Sequence, residues 1–159
     1  MIFNQTDVLE NKAAEILSPQ STSQRSGRDF ITLPSGVKYY DFVEGTGDVA
    51  EVGKSVQFQW VLRRSNGYFV DSSAVYGNEP FIYKVGNVKK VIAGLDEGIR
   101  GMRVGGIRRL IVPPELAYVA GVGDDKPGPM PQGFGPRRQI LSRLGTERWY
   151  FEIQLLKVR

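Results

Sequence analysis

The sequence predicts an α+β domain in which an antiparallel β-sheet wraps around one short α-helix. The first observation is that segments of alternating apolar and polar residues, typical of strands with one buried face, recur from residue 31 to the C-terminal end. The second is that one segment, 94–102, places its apolar residues at helical spacing instead. The length of 159 residues and the hydrophobic fraction of 41% suit one compact domain, residues 31–159, preceded by an appendage.

The appendage, residues 1–30, has the pattern of a short amphipathic helix followed by a linker. Asp7 and Glu10 have the spacing of a capping box, in which the first residue caps the helix and the side chain three residues later bonds back to its N–H. Three apolar residues then fall on one helical face: Leu9, Ala13 and Ile16. The polar, turn-rich sequence SPQSTSQRSG follows. We interpret the segment as a helix on a tether that is a frayed tail, a helix packed on the domain, or a docking element for a partner.

The first strands of the domain are predicted between residues 37 and 62. Val37 and Tyr39 suggest the first of them. The segment VQFQWVL then alternates strictly, and its apolar side consists of Val56, Phe58, Trp60 and Leu62. Gln57 and Gln59 face the other way, which predicts a half-buried strand with a polar outer face.

A β-hairpin is predicted next along the chain. Asn66 and Gly67 are a strong signal for a two-residue turn, because both positions tolerate positive φ. Phe69 and Val70 would begin the return strand, and residues 81–85 are another short strand candidate.

The middle of the domain is predicted to hold its helix. Residues 94–102 carry three apolar side chains on one face: Leu95, Ile99 and Met102. A glycine pair at 105–106 ends the helix, and the β-rich segment 107–112 follows. The proline pair at 113–114 stops this strand, because proline cannot donate to a sheet ladder. The last predicted strand is WYFEIQLLKV, with Trp149, Phe151, Ile153 and Leu155 on one side.

The composition excludes several classes of enzyme. The chain has no cysteine, which excludes disulfides, thiol catalysis and thiolate metal sites. It has no histidine, which excludes serine–histidine triads, histidine metal clusters and imidazole acid–base steps. We therefore expect neither a metal nor a cofactor. No apolar run approaches the ~20 residues that span a bilayer, and no basic start precedes an apolar block, so we expect neither a membrane-spanning helix nor a targeting peptide in this chain.

Basic residues are in moderate excess, with a net charge of +4 from 21 basic and 17 acidic residues. Several of them form pairs: Arg63–Arg64, Lys89–Lys90, Arg108–Arg109 and Arg137–Arg138. One interpretation is a surface for an acidic partner or nucleic acid, and the other is solvated loop ends and strand faces. No aromatic-rich RNA-binding signature accompanies the pairs, so we expect no nucleic-acid partner.

A series of short motifs gives the sequence a family resemblance. The motifs, in order, are VDSS at 70–73, PF at 80–81, VIAGL at 91–95, GMRVGG at 101–106, PPELAY at 113–118 and FEIQLLK at 151–157. Together they resemble the FKBP family of peptidyl-prolyl cis–trans isomerases over residues 31–159. The resemblance implies an FKBP-like, half-wrapped antiparallel sheet around one short helix, in agreement with the pattern of strands and helix above.

The resemblance also implies a site between the helix and the concave face of the sheet. Its implied lining residues are Trp60, Val70, Asp71, Phe81, Val91, Ile92, Leu95, Tyr118 and Phe151. The Ile92 N–H and the Tyr118 hydroxyl would each hold a substrate carbonyl, and Asp71 would be an acceptor at the rim. Such a site fits the composition, because rotation about an X–Pro bond opposes only amide resonance and needs no nucleophile.

Some implied site residues depart from the family pattern. Leu95 stands where active members usually have tryptophan, Trp60 where they have tyrosine, and Val70 where they have phenylalanine. Leucine removes much of an aromatic side chain's buried area, so we expect the bowl to be deeper or filled differently. These departures predict weak isomerase activity.

A long segment at about 119–148 separates Tyr118 from the last strand. Loops of this length are uncommon and are usually functional or disordered. Prolines at 127, 129 and 131 favour an extended first half. Because such a loop borders the pocket in this family, it would either restrict substrates or form a docking surface.

Two functions remain open on the sequence alone. The first is an isomerase that assists folding or assembly of proline-containing client proteins. The second is a non-catalytic subunit or assembly factor that docks on a photosynthetic membrane complex through the 119–148 segment and the N-terminal helix. The segments GFGPRR and RRLIVPP resemble the chloroplast branch of the family in plants and algae, which implies the thylakoid lumen of the chloroplast as its compartment. Lumenal relatives often carry disulfides, and this chain cannot.

Overall fold

The fold consists of β-strands and two α-helices within residues 30–159, the part of the protein that the computed structural model describes. The strands are β1 (Ile31–Thr32), β2 (Lys38–Val43), β3 (Ser55–Arg64), β4 (Phe69–Ser72), β5 (Phe81–Lys84), β6 (Ile107–Val112) and β7 (Trp149–Val158). The helices are α1 (Ala93–Ile99) and α2 (Phe134–Leu141), and short 3₁₀ turns cover Ser73–Tyr76 and Pro114–Leu116. The predicted N-terminal helix and its linker lie outside the described residues.

All the strands belong to one antiparallel sheet with the order β1-β2-β6-β7-β3-β4, and β5 pairs with the same edge of β3. The long strands β3 and β7 form its centre, and the register places Phe151 between Leu62 of β3 and Leu110 of β6. Each of these three side chains is fully buried. The predicted α+β class, with an antiparallel sheet around a short helix, is confirmed.

Helix α1 packs directly on strand β6, and two glycines allow the close approach. A Cβ on Gly94 would collide with the side chain of Val112, and a Cβ on Gly98 would collide with Leu110. The helix is shorter than the predicted 94–102 and ends at Ile99, because Gly101 adopts a left-handed φ of 89°. Met102 still contributes to the core, at 2% exposure.

The predicted hairpin is present, but its two-residue turn is wrong. The Arg64 N–H donates to the Tyr68 carbonyl at 2.9 Å, and the Gly67 N–H donates to the Arg64 carbonyl at 2.8 Å. Gly67 has a φ of 90°, whereas Asn66 does not enter the positive-φ region. The loop is therefore a three-residue type in which the glycine alone takes the left-handed position.

The predicted polar outer face of β3 is also wrong. Gln59 is 4% exposed, and its amide donates to the Asn78 carbonyl at 2.8 Å. Val61 is fully buried on the same face, in a second apolar cluster with Ile107. Side chains of Phe42 and Phe69 cover this cluster.

Two of the basic pairs, Arg63–Arg64 and Arg108–Arg109, are not simply solvated ends, because their arginines form ion pairs within the fold. Arg109 and Glu152, whose side chains are 1% and 0% exposed, form an ion pair at 2.6 Å. The other ion pairs of these arginines are Arg63–Glu152, Arg64–Glu147 and Arg108–Asp41. Acidic residues on neighbouring strands and loops therefore neutralise much of the predicted basic surface.

The 119–148 insertion contains helix α2, which the sequence analysis treated as part of a loop. Pro136 lies in its first turn, where a backbone amide has no helical acceptor, so the proline is tolerated. Ile140 is fully buried and anchors the helix to the core. Among residues 30–159, no helix is long and apolar enough to cross a membrane.

Candidate active site

The residues that the sequence predicts for the site come together in one region of the core. Val91, just before α1, Leu95, within α1, and Phe151, on β7, are all fully buried in one cluster. Trp60, Val70, Ile92 and Tyr118 belong to the same apolar cluster, and half-buried Phe81 packs against it. The structure thus gathers these predicted residues around one buried, apolar region, called the hollow below.

The backbone at the start of α1 is bonded to the insertion. Val91 forms a parallel β-bridge with Gly128. The Gly128 N–H donates to the Lys90 carbonyl at 3.0 Å, and the Ile92 N–H donates to the Gly128 carbonyl at 2.9 Å. Ile92 adopts an extended conformation immediately before the helix, so its N–H points away from the helix ladder and is available for this bond.

The Tyr118 hydroxyl meets the next carbonyl of the same segment. It donates to the Pro129 carbonyl at 2.8 Å, and the side chain is only 2% exposed. The ring packs edge-on against Trp149, with 6.3 Å between centroids. Burial raises the pKa of Tyr118, and the nearby charge of Asp71 raises the pKa further, so the hydroxyl remains a donor at physiological pH.

Asp71 does not lie at an exposed rim, as the sequence analysis expected, but is buried at 1% exposure. Its carboxylate accepts a hydrogen bond from the Tyr76 hydroxyl and another from the Ser72 N–H at 3.0 Å. Burial raises the pKa of Asp71, and the bonds from Tyr76 and Ser72 counteract that effect. Its acceptor capacity is therefore directed at the protein itself.

Tyr76 is a site residue that the sequence analysis missed. Its hydroxyl donates to Asp71 and accepts a hydrogen bond from the Gln132 N–H at 3.0 Å. The 3₁₀ turn Ser73–Tyr76 brings it back toward the aspartate, five residues after it in sequence. The motif VDSSAVY offers a hydroxyl near a buried acid, but the sequence does not indicate that the insertion would meet it.

The insertion fills the hollow, in line with the second of the two predicted alternatives, a bowl that is deeper or filled differently. Gly128, Pro129 and Pro131 are buried. The open cleft that remains, of about 610 Å³, reaches Trp60, Phe81 and Tyr76. The other predicted lining residues lie outside this cleft, although Ile92 and Tyr118 border a separate opening of about 180 Å³ beside Pro127.

Charged residues of both signs surround the larger cleft. The lysines are Lys89, Lys90 and Lys126, and the acids are Glu79, Asp124 and Asp125. Arg137 also lines the cleft, where its Nε donates to the Pro131 carbonyl at 2.6 Å and its guanidinium pairs with Asp124. One arginine thus joins the two sides of the segment that enters the hollow.

Comparison with known proteins agrees with this geometry. The sequence model described as FKBP-type peptidyl-prolyl cis-trans isomerase matches residues 47–156. The chain is 42% identical over 130 residues to the chloroplastic peptidyl-prolyl cis-trans isomerase FKBP16-1 of Arabidopsis thaliana, covering 80% of this chain and 60% of that protein. It is 38% identical over 127 residues to chloroplastic FKBP16-4 of the same plant, covering 74% and 55%. The chain thus spans less than two thirds of these curated relatives.

Solved structures are similar as well. The crystal structure of AtFKBP13 superposes with a TM-score of 0.60 at 29% identity, covering 82% of this chain and 99% of that one. The crystal structure of FkpA from Escherichia coli superposes with a TM-score of 0.61 at 23% identity, covering 97% and 64%, and supports the fold alone.

Proposed function

The chain belongs to the FKBP-type peptidyl-prolyl cis–trans isomerase family, and from this premise we propose that it isomerises X–Pro bonds in client proteins. One observation carries the proposal. The Ile92 N–H and the Tyr118 hydroxyl point at successive carbonyls of one prolyl segment, inside an apolar hollow. Because this pair of donors already holds a glycyl-prolyl unit, it has the spacing needed to hold the same unit of a client.

The mechanism uses environment and hydrogen bonds rather than a nucleophile. Amide resonance gives the C–N bond a rotation barrier of ~18–20 kcal/mol, and the planar amide is more polar than the twisted one. Apolar walls disfavour the polar planar form, while the two donors hold the flanking carbonyls as the bond turns. Lowering the barrier by ~5–6 kcal/mol would accelerate isomerisation ~10⁴-fold.

The test is relaxation of a proline tetrapeptide from cis to trans. We expect acceleration, and we expect Tyr118→Phe to lower kcat/KM by about tenfold, because it removes one directed hydrogen bond. Tyr68→Phe, at a tyrosine that is 56% exposed, is the matched control and should leave the rate unchanged. Equal rates for Tyr118→Phe and wild type would contradict the role of this hydroxyl. Absence of acceleration both in the wild type and in a variant that lacks residues 128–129 would contradict the isomerase function.

The departures from the family pattern support weak rather than strong activity. Leu95 is fully buried, and residues 128–129 occupy the hollow beside the start of α1. We therefore propose a folding or assembly helper whose turnover on short peptides is low.

A second candidate function is docking on a photosynthetic membrane complex, and the exposed end of the insertion favours it. Phe134, Leu141 and Leu144 are 77%, 52% and 38% exposed. With a net charge of +4, the chain would suit a partner whose surface combines apolar and acidic residues. We propose that this surface, together with the helix predicted from the sequence near the N-terminus, would hold such a complex.

The docking function is tested with photosystem complexes purified from thylakoid membranes. The double variant Phe134→Ser, Leu141→Ser should lose binding in co-sedimentation. Val119→Ser is the control, since Val119 is 70% exposed but lies outside α2. Equal binding by the double variant and the control would exclude α2 as the interface.

We further propose that the protein acts in the chloroplast, in the thylakoid lumen. The names of similar proteins support the chloroplast, and the GFGPRR and RRLIVPP segments are the support for the lumen. Protease protection of the full-length protein in isolated chloroplasts and thylakoids tests both levels. Degradation by protease outside intact thylakoids would contradict the lumenal location.

A further inference from the structure

We propose that Gly128–Pro129 is an internal ligand of the isomerase site, and that a client binds only after this segment leaves. The proposal rests on the isomerase function proposed above. It adds that the site is regulated from within the chain, and it identifies the class of ligand as a peptide with glycine before proline.

The internal segment and a client peptide compete for the same hydrogen-bond donors. The Ile92 N–H is bonded to the Gly128 carbonyl at 2.9 Å, and the Tyr118 hydroxyl is bonded to the Pro129 carbonyl at 2.8 Å. Each of these donors has a single hydrogen. Neither can hold a client carbonyl while the segment is in place, so binding of segment and client is mutually exclusive.

The segment is bound in the way that a peptide ligand is bound, and does not simply lie on the surface as a loop. Gly128 forms a parallel β-bridge with Val91, and its N–H donates to the Lys90 carbonyl at 3.0 Å. The edge of the chain before α1 thus binds one residue through both of its backbone polar groups, as in recognition of an added strand.

The space around Gly128 limits which residue can precede the proline. A Cβ on Gly128 would lie 3.0 Å from the ring edge of Phe81 and 2.7 Å from the backbone nitrogen of Met130. Any other side chain requires that Phe81 or the segment itself move. The contact with Met130 is within the segment, so it is the ring of Phe81 that makes the site favour glycine before proline.

The outer part of the segment is held by contacts that can open. Arg137 ties its two sides together through the Pro131 carbonyl and Asp124. The side chain of Asp124 is 92% exposed, so water and salt weaken this ion pair. Opening the Arg137 contacts would let residues 128–129 leave the hollow without unfolding the sheet.

Two variants release the segment by different means. Gly128→Ala introduces a Cβ 2.7 Å from the Met130 nitrogen and 3.0 Å from the Phe81 ring, and Arg137→Gln removes the contacts to Pro131 and Asp124. Each has a matched control in α2. Gly135→Ala adds a Cβ that meets nothing within 4 Å, and Arg138→Gln changes an exposed neighbouring arginine.

The first measurement is hydrogen exchange at the Ile92 amide by NMR, which reads the position of the segment without any catalysis. We expect slow exchange in wild type and in both controls, and faster exchange in both release variants. Fast exchange in wild type, or unchanged exchange in both release variants, would overturn the proposal.

The second measurement is binding and isomerisation of a succinylated Ala-Gly-Pro-Phe peptide. If the segment blocks the site most of the time, its release should raise peptide affinity and kcat/KM by roughly tenfold, because apparent affinity scales with the fraction of competent molecules. Unchanged affinity in both release variants would overturn the internal-ligand proposal. Tighter binding without acceleration in any variant would support it, and would reject the isomerase function instead.

Discussion

At the scale of single residues, the hydroxyl groups of two tyrosines determine the polar chemistry of the hollow. Tyr118 donates to Pro129, and Tyr76 both donates to Asp71 and accepts from Gln132. Burial raises the pKa of Tyr118 and the pKa of Tyr76, so both hydroxyls remain protonated and can donate at physiological pH. The family motif predicts Tyr118, whereas the contacts of Tyr76 depend on a turn and an insertion that no local pattern brings together.

Tyr76→Phe should destabilise the protein by ~1–3 kcal/mol, because it leaves the buried Asp71 carboxylate with one donor fewer and the Gln132 N–H without this acceptor. The Tyr76 bond lowers the pKa of Asp71, so its loss should also raise that pKa. Urea denaturation measures the first effect and carbon-detected NMR titration the second. Tyr68→Phe is the control. If Tyr76→Phe gave the same results as this control in both measurements, the Tyr76–Asp71 bond would contribute neither to stability nor to the pKa of Asp71.

Glu147→Gln should destabilise the protein at pH 7 and have little effect in acid. Burial opposes ionisation of Glu147, but the Arg64 guanidinium and the Ser65 N–H outweigh it and hold the pKa below the ordinary 4.5. A carboxyl with a lowered pKa stabilises the fold above pH 4.5, and this contribution is lost as the pH falls through its folded-state pKa. Urea denaturation from pH 7 to pH 3 should show the difference from wild type shrinking below pH 4.5. A constant difference would contradict the ionic origin, and exposed Glu51→Gln serves as the control.

At the scale of elements, the site depends on how closely α1 approaches the sheet. Gly94 and Gly98 face β6, where Val112 and Leu110 leave no space for a Cβ. The close approach places the Ile92 N–H over the apolar hollow, where the insertion meets it. The glycines of this segment therefore reflect helix–sheet packing as well as turn geometry.

Gly98→Ala should destabilise the protein by ~1–3 kcal/mol, because the added methyl group overpacks the contact with Leu110. Gly135→Ala in α2 makes the same chemical change in open space and should instead stabilise by up to ~1 kcal/mol through helix propensity. Thermal or urea denaturation of the two variants measures both signs. Equal shifts in the two would show that α1 is not in tight contact with β6.

At the scale of the whole molecule, the spacing of the apolar residues and the order of the motifs were enough to predict the fold. The partners of side chains across the sheet could not be predicted. Alternation predicted β3 and β7, helical spacing predicted α1, and the ordered motifs predicted the fold and the gathered site residues. The burial of Gln59 and Arg109 on the outer face of the sheet was not predicted. A polar residue occupies the same place in the alternating pattern whether its hydrogen-bond partner is water or a distant group of the protein. The sequence predicts that the 119–148 segment borders the pocket, but not that residues 128–129 occupy it, because these contacts join segments that are far apart in sequence.

The outer face also yields the prediction with the largest expected effect on stability. Arg109 of β6 and Glu152 of β7 are almost fully buried, and the arginine lies 5.2 Å from the ring centroid of Tyr150. Arg109→Met should cost ~3–5 kcal/mol, because it leaves the Glu152 charge buried with a weaker partner, Arg63 at 3.4 Å. The double variant Arg109→Met, Glu152→Leu should recover most of that loss, since burying an ion pair requires removing both charges from water. Urea midpoints of the single and double variants test this. A double variant no more stable than Arg109→Met would show that the arginine contributes through its packing on Tyr150, and not through its charge.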